Sequence, residues 1–444
     1  MKLIIKYTII LTALLIIGQK KAEAQYQLSL YQLNENVPQA HLLNPAFKAD
    51  RKFHLGFPAL NNVFVSSSSE LSISELFIRE GNDLVLDYNH FGPALKRNNH
   101  FAQSADIGLF YFGHRIGKGY GSFSVVATTK TFTKVSEEMV DFLMEGNGSE
   151  RFLGRRVEVS GMDVKSTTKV DYGIAYNHPF LDERLNVGVR LKYIQGFFHA
   201  ETDKNLSATV YTDPETYLIN VKGSDMRMKT AGITALDDDE GDIDDYLPGT
   251  GNSGFGMDLG ATYKLFDKWQ FSAAINDLGF IRWKNEVESY ILQNGDYNYG
   301  GLDISDLDGF GDQLSDTLSA IFETETVNEA FTTSLTSQIY LGGNYMINST
   351  SNVGLLMHGR LFQGNLKNAF SISYNKRFGK ILYGSVNYNI VDGVASNIGL
   401  GLSVNAGFFQ LYFTSDNILT PLINLDNTKS VDAQFGINLN FGKI

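Results

Sequence analysis

The end of the chain limits the solvents in which it can fold. From Val431 to Phe441 every second residue is apolar: Val431, Ala433, Phe435, Ile437, Leu439 and Phe441. Between them lie Asp432, Gln434, Gly436, Asn438 and Asn440. A period of two sends the two sets to opposite faces of a strand. In a soluble sandwich the apolar face would meet a second sheet. In an outer-membrane barrel it would meet lipid, and the polar face would line the lumen. One strand leaves both open.

The same alternation recurs upstream. Read backwards, it predicts strands near 407–414, 394–404, 381–391, 367–378, 352–362, 335–347, 269–281, 254–265, 184–197 and 168–178. Less regular strands follow near 119–130, 103–113 and 52–68. With 431–441 that makes about fourteen, within the range of outer-membrane barrels. The connections alternate in length. The proposed periplasmic turns, 405–407, 379–380, 348–351, 266–268, 179–183 and 114–118, are all short, while of the proposed outer loops, 415–430, 391–394, 363–366, 282–334, 198–253, 131–167 and 69–102, five of seven are long. Barrels of this kind keep short turns on the periplasmic side and long loops outside, whereas a sandwich has no reason to sort its loops. The fold class expected is all-β: a transmembrane antiparallel β-barrel of about fourteen strands, with an N-terminal plug segment and long extracellular loops.

The N-terminus reads as a secretory signal over residues 1–24. Lys2 and Lys6 precede an apolar core, and Ala22-Glu23-Ala24 is a small-x-small cleavage site. That core is too short for a spanning helix, which needs about 20 residues. The chain has no cysteine, which excludes disulfides, thiolate metal sites and a lipid anchor on cysteine. Without residues 1–24 the net charge falls from −12 to −15, a poor match for nucleic acid. The predicted organisation is a leader (1–24), a plug or hatch (25–51) and an outer-membrane barrel (52–444).

Charged and amide groups on the polar faces need water or partners. Candidates for lining the lumen are Asp106, Asp171, Arg190, Lys192, Asp258, Lys264, His358, Arg360 and Asp432. Tyr263, Phe266, Trp269, Phe378, Tyr383, Phe408 and Phe409 lie beside the short turns, where an interfacial aromatic girdle is expected. Asn44-Pro45 initiates a turn ahead of the first strand, and is the candidate turn of the plug.

Other chemistry is sparse, and no cofactor is expected. The acidic run 237–245 departs from an EF-hand at its first ligand position, where Leu236 stands. Asp306, Asp308 and Asp312 are a weak calcium-loop fragment, spoiled by Ile304. Ser136 ahead of Glu137 and Glu138 caps a short helix through Leu143, and a second helix is expected near 312–323. No Gly-x-Ser-x-Gly or His-Glu-x-x-His motif occurs. His358 shares parity with Arg360 and points inward, His114 and His178 fall at turns, and His199 begins a loop. An enzyme is not expected.

The stretch GFGMDLGATYKLFDKWQFSAAINDLGFIRWK (254–284), with LLNPAF (42–47), DNI (416–418) and FGINLNFG (435–442), resembles an uncharacterised Bacteroidetes-type family of outer-membrane barrels, a domain of unknown function. More widely the chain resembles the long-chain fatty-acid transporter superfamily. That resemblance implies fourteen strands, an N-terminal plug and passage or binding of apolar molecules. Two functions follow as expectations. One is a barrel in the cell outer membrane that binds or passes apolar or amphipathic small molecules. The other is a barrel without transport that docks envelope, secretion or surface proteins. Expected partners are outer-membrane lipid and lipopolysaccharide, an apolar small molecule and an envelope protein. Residues 25–51 discriminate: buried in the lumen beside an apolar pocket they favour transport, extended as a tether they favour docking. A simple hydrophilic pore requires them to leave the lumen open.

Overall fold

The structure, a computed structural model, describes residues 26–48, 50–81, 83–160, 163–202, 207–223, 226–232, 251–292, 296–299, 327–362, 365–391 and 394–443. Fourteen antiparallel strands close into one barrel. They are β1 (Arg51–Gly56, resuming at Val63–Ser69), β2 (Asn98–Ile116), β3 (Gly119–Ser136), β4 (Asp163–Phe180), β5 (Leu185–Thr202), β6 (Asn252–Leu265) and β7 (Trp269–Trp283). The rest are β8 (Phe331–Ser334, resuming at Gln338–Asn348), β9 (Ser351–Phe362), β10 (Asn365–Phe378), β11 (Leu382–Val391), β12 (Val394–Ala406), β13 (Phe409–Ser415) and β14 (Ser430–Lys443). Each pairs with the next, and β1 pairs with β14 to leave no edge.

Two strands expected to be regular throughout are interrupted by bulged stretches. In β1, residues 57–62 bulge out of regular pairing while Phe57 and Leu60 still bond Ile437 (both 2.9 Å), and Asn61 turns in and donates to the carbonyls of Gly108 (2.6 Å) and Phe57 (3.2 Å). The register of β2 slips opposite, between Gly108 and Phe110. In β8 the regular pairing is interrupted at 335–337, where the Leu335 N–H still donates to the Gly279 carbonyl and the Ser337 carbonyl accepts the Leu361 N–H (both 3.0 Å). Phe331–Ser334 pair only with β7 among the described residues, and pairing to β9 begins at Gln338 with Arg360.

The burial pattern is inverted relative to a soluble protein. Large apolar side chains stand out from the wall, with Ile174 67% and Leu355 60% exposed. Inward-facing Asn389, Ser403 and Asn438 are wholly buried. Water would penalise that arrangement on both faces, and lipid outside with polar partners inside satisfies it. Phe266, Trp269, Phe378 and Phe408 are exposed at the short-turn end, as a girdle requires. Tyr383 corrects the expectation: it pairs with fully buried Ser403 and is itself buried. Its odd parity in β11 opposes that of outward Val386 and Tyr388.

The long loops carry further structure. The helices in chain order are α1 (Leu28–Leu33), α2 (Ile73–Leu76), α3 (Tyr88–Phe91), α4 (Glu137–Glu145) and α5 (Leu419–Ile423), and Ser72 caps α2. A hairpin, Phe77–Glu80 with Asp83–Leu86, joins α2 to α3. The Ser136 hydroxyl accepts from Met139 N–H and caps α4. Loop segments 156–160, 207–212, 219–223 and 296–299 form a small antiparallel sheet. His199 lies within β5 and does not begin a loop, because that strand runs on to Thr202. The leader, the run 237–245, Asp306, Asp308, Asp312 and the helix expected at 312–323 lie outside the described residues.

Candidate functional site

The barrel interior holds the segment that precedes β1. Tyr26, Leu28, Leu30, Leu33, Val37 and Phe47 are at most 3% exposed. The segment has one short helix, α1, then 3-10 turns at Asn34–Asn36 and Pro38–Leu42. Such irregular backbone leaves many carbonyls without internal partners, and burial makes each one costly. The wall supplies them. Asn177 Nδ2 donates to the carbonyls of Pro45 and Phe47 (both 3.0 Å), Asn186 to Ala46 (2.6 Å) and Asn276 to Leu43 (2.8 Å). Gln39 and Asn438 exchange amide bonds at 2.7 and 2.9 Å. This is why the inward faces read as Asn, Gln and Ser.

Asn44 and Pro45 form the turn that the sequence marks. Asn44 Oδ1 accepts from Ala46 N–H (2.9 Å), and its Nδ2 donates to the Tyr31 hydroxyl (3.2 Å). Pro45 lies against β5 and β6 where two glycines are paired, Gly188 with Gly260. A Cβ on Gly188 would fall 2.3 Å from the Pro45 carbonyl, and one on Gly260 2.1 Å from Asn44 Oδ1. Tyr31 stacks on Tyr340 of β8 at 5.0 Å and 9° and donates to Ser272 (2.9 Å). Burial pushes the Tyr31 hydroxyl up to about 12, against the bonds from Ser272 and Asn44. His41 packs edge-on against Tyr120, and burial, with His54 and Arg190 adding to it, lowers its pKa to about 3.

At the start of the plug, Asp416 accepts the backbone N–H of Leu28 (2.8 Å) and Ser29 (2.7 Å). Burial raises the Asp416 pKa, and its bonds to Ser29 and Leu28 work the other way. Asp432 in turn accepts the N–H groups of Asp416 (2.7 Å) and Asn417 (3.1 Å).

The charged candidates fall into groups. Arg190, Lys192 and Asp258 form one network: Asp258 is fully buried, 2.7 Å from both cations. Lys192 also pairs with Asp277 at 2.5 Å, and Arg190 donates to the plug carbonyl of Leu42. Asp106 accepts from plug residue Gln27 (2.9 Å), and Asp171 pairs with Lys169 (2.5 Å). His358 and Arg360 both meet Tyr26, by an edge contact at 5.0 Å and a cation–π contact at 5.7 Å. Lys264 stands apart, exposed at the short-turn end of β6. There it keeps the parity of buried Thr262 but lies beyond the packed interior.

Beside the plug lies a polar cavity of about 100 Å³ bounded by Asp106, Asp171, Lys192, Gln338 and Tyr340. A second space of about 80 Å³ adjoins it, with Phe132, Ile281, Leu335 and Arg360 in its lining. Lys130, Lys169 and Asp277 border both. The second space lies against the break in β8. Sequence reasoning missed Lys130, Asp277, Asp416 and the wall amides. The signal for Asn177, Asn186, Asn276 and Asn438 was their shared inward parity. Asp277 departs from simple alternation at a bulge, with φ 61°.

A family model described as a family of unknown function (DUF5723) matches residues 45–416. No curated protein matches the sequence. Among solved structures the chain is similar to the Ralstonia pickettii toluene transporter TbuX, with 12% identity and a TM-score of 0.43 over 91% of this chain and 94% of that one. A Pseudomonas aeruginosa FadL homologue gives 9% identity and 0.43 over 96% and 100%. The P. putida toluene transporter TodX gives 10% and 0.40 over 88% and 90%. Likeness at this level says nothing about the cargo of this chain.

Proposed function

The chain belongs to the family of unknown function DUF5723, and we propose that it is an outer-membrane barrel that admits or binds small apolar or amphipathic molecules between plug and wall. The observation that carries the reading is the coincidence of three features. A plug is docked in the lumen by reversible hydrogen bonds, a partly apolar space adjoins the polar cavity beside it, and the regular strand pairing is interrupted next to that space at 335–337. Ile281, Leu335 and Phe132 offer an apolar surface, while the hydroxyls and ammonium groups around them hold a polar end. That irregular stretch, held by the Leu335 N–H on the Gly279 carbonyl and the Leu361 N–H on the Ser337 carbonyl (both 3.0 Å), is where a side route past the plug would open.

The outward apolar band supports insertion in a bilayer, and the long-loop end is assigned to the cell exterior by analogy with barrels of this type. The plug is buried and not extended as a tether, which supports ligand passage over docking. It also fills the lumen that a simple hydrophilic pore would need open. Docking of an envelope protein keeps one supporting feature, the small sheet built from the long loops.

The test is mass spectrometry of the full chain extracted gently from its own membrane, recording small molecules and proteins together. A stoichiometric apolar or amphipathic ligand is expected. A stoichiometric envelope protein without ligand overturns the reading in favour of docking.

A further inference from the structure

The rim of the barrel carries an apolar surface that the lumen does not use. Leu419, Leu422 and Ile423 occupy positions i, i+3 and i+4 of α5 and share one stripe. Leu422 and Ile423 are 75% and 74% exposed, more than the outward-facing Leu341 of β8 at 49%. Leu425 follows, also exposed. On the nearby hairpin, Leu84 and Leu86 are exposed on one strand face, with Arg79 paired opposite Leu84. Arg79 reaches to 4.0 Å from Asp426, the neighbour of Leu425, so the two apolar pieces adjoin.

The stripe continues the outward band of the wall. Ile418 donates its N–H to the Ile398 carbonyl (2.9 Å), which prolongs β13 beside β12 by one more rung. From Ile398 the outward positions of β12 run through Leu400 and Leu402 to Val404. α5 therefore starts at the top of that band. A short helix with an apolar face and charge at its flank is the pattern of an interfacial element. The side chain of Arg79 is 65% exposed and in reach of anionic head groups.

We infer that α5 and the adjoining hairpin rest in the outer leaflet of the membrane, with Leu422, Ile423, Leu84 and Leu86 at the acyl boundary and Arg79 at lipid phosphate. The inference rests on the membrane reading above. It makes the rim a lipid contact that fixes the depth of the barrel and covers the loop between β13 and β14, from which Asp416 holds the plug.

A cysteine-free chain makes a clean test. Single-cysteine variants L422C and I423C carry a nitroxide in vesicles of phosphatidylethanolamine and phosphatidylglycerol, with L341C as the wall control and E150C as the water control. Barrel formation is checked by heat-dependent electrophoretic mobility. Collision rates with oxygen and with a water-soluble nickel chelate are then compared. Both rim labels are expected to match L341C, with high oxygen and low nickel access. Nickel access equal to that of E150C overturns the inference, as does dipolar broadening that reports a second copy on the stripe. Nickel access at L341C itself would instead overturn the membrane reading, so the two failures are distinct.

Discussion

The Asp416 carboxylate accepts the backbone N–H of Ser29 at 2.7 Å across 387 residues of sequence. It takes the Leu28 N–H as well, so one side chain holds the first turn of the plug. Replacing it by Ala removes two hydrogen bonds to an ionisable group and leaves buried donors. The docked plug should lose about 2–3 kcal/mol. In planar bilayers D416A is expected to show long-lived conductance that the parent lacks. Parent-like silence would mean that Asp416 does not hold the plug.

His41 sets the response of the plug to acid. Its pKa is about 3 when docked against an ordinary 6.5. Above pH 6.5 the imidazole is neutral in both docked and undocked plug, and its contribution is constant. As pH falls from 6.5 towards 3, only the undocked form takes the proton, so docking weakens by a few kcal/mol. Asp416 works the other way: with its pKa raised, the docked form takes the proton more readily. Acidification should therefore open the parent between pH 6 and 4, and H41Q should flatten that rise. A pH profile unchanged in H41Q would assign the effect elsewhere.

Gly188 and Gly260 make room for Pro45 and Asn44. A Cβ at either would meet backbone or amide atoms closer than 2.5 Å, so the plug or the wall has to move. G260V is expected to cost about 1–3 kcal/mol as an overpacked contact. Protease treatment of folded barrels should then release the plug, followed as a loss of N-terminal mass. Gly379, in a turn with open space around it, has a φ of +64°, and its substitution should leave the plug protected.

The strands were legible because lipid outside and a packed polar interior both obey period two, so Ile437 and Asn438 announce their faces directly. The breaks in β1 and β8 were not. Each arises from an inward excursion, at Asn61 and beside Asp277, where tertiary partners outweigh the pairing of a strand whose sequence still alternates. Inward parity marked Arg190, Lys192 and Asp258 but could not pair them, because they come from adjacent strands whose register only the fold sets. Parity also could not tell how deep a residue sits, so Lys264, exposed at the end of its strand, read like the buried Asp258. The plug showed only its Asn44-Pro45 turn, because the wall residues it bonds are far along the chain, such as Asn186 for Ala46 and Asp416 for Ser29.

The two faces of β14 give a last, sharper prediction. Period two alone suggests that Arg costs about 2–4 kcal/mol at Ile437, in lipid, and much less at Asn438, in a polar lumen. The lumen is packed, however. Asn438 is wholly buried and bonded to Gln39 and Gln410. Arg there loses those bonds and has no room, a cost of similar size, about 1–3 kcal/mol or more. The two variants should differ in what fails. I437R should lower the yield of inserted barrel. N438R should insert normally but expose the plug to protease. Loss of insertion in both would mean that docking of the plug is needed for the barrel to assemble, and equal tolerance of both would undo the face assignment.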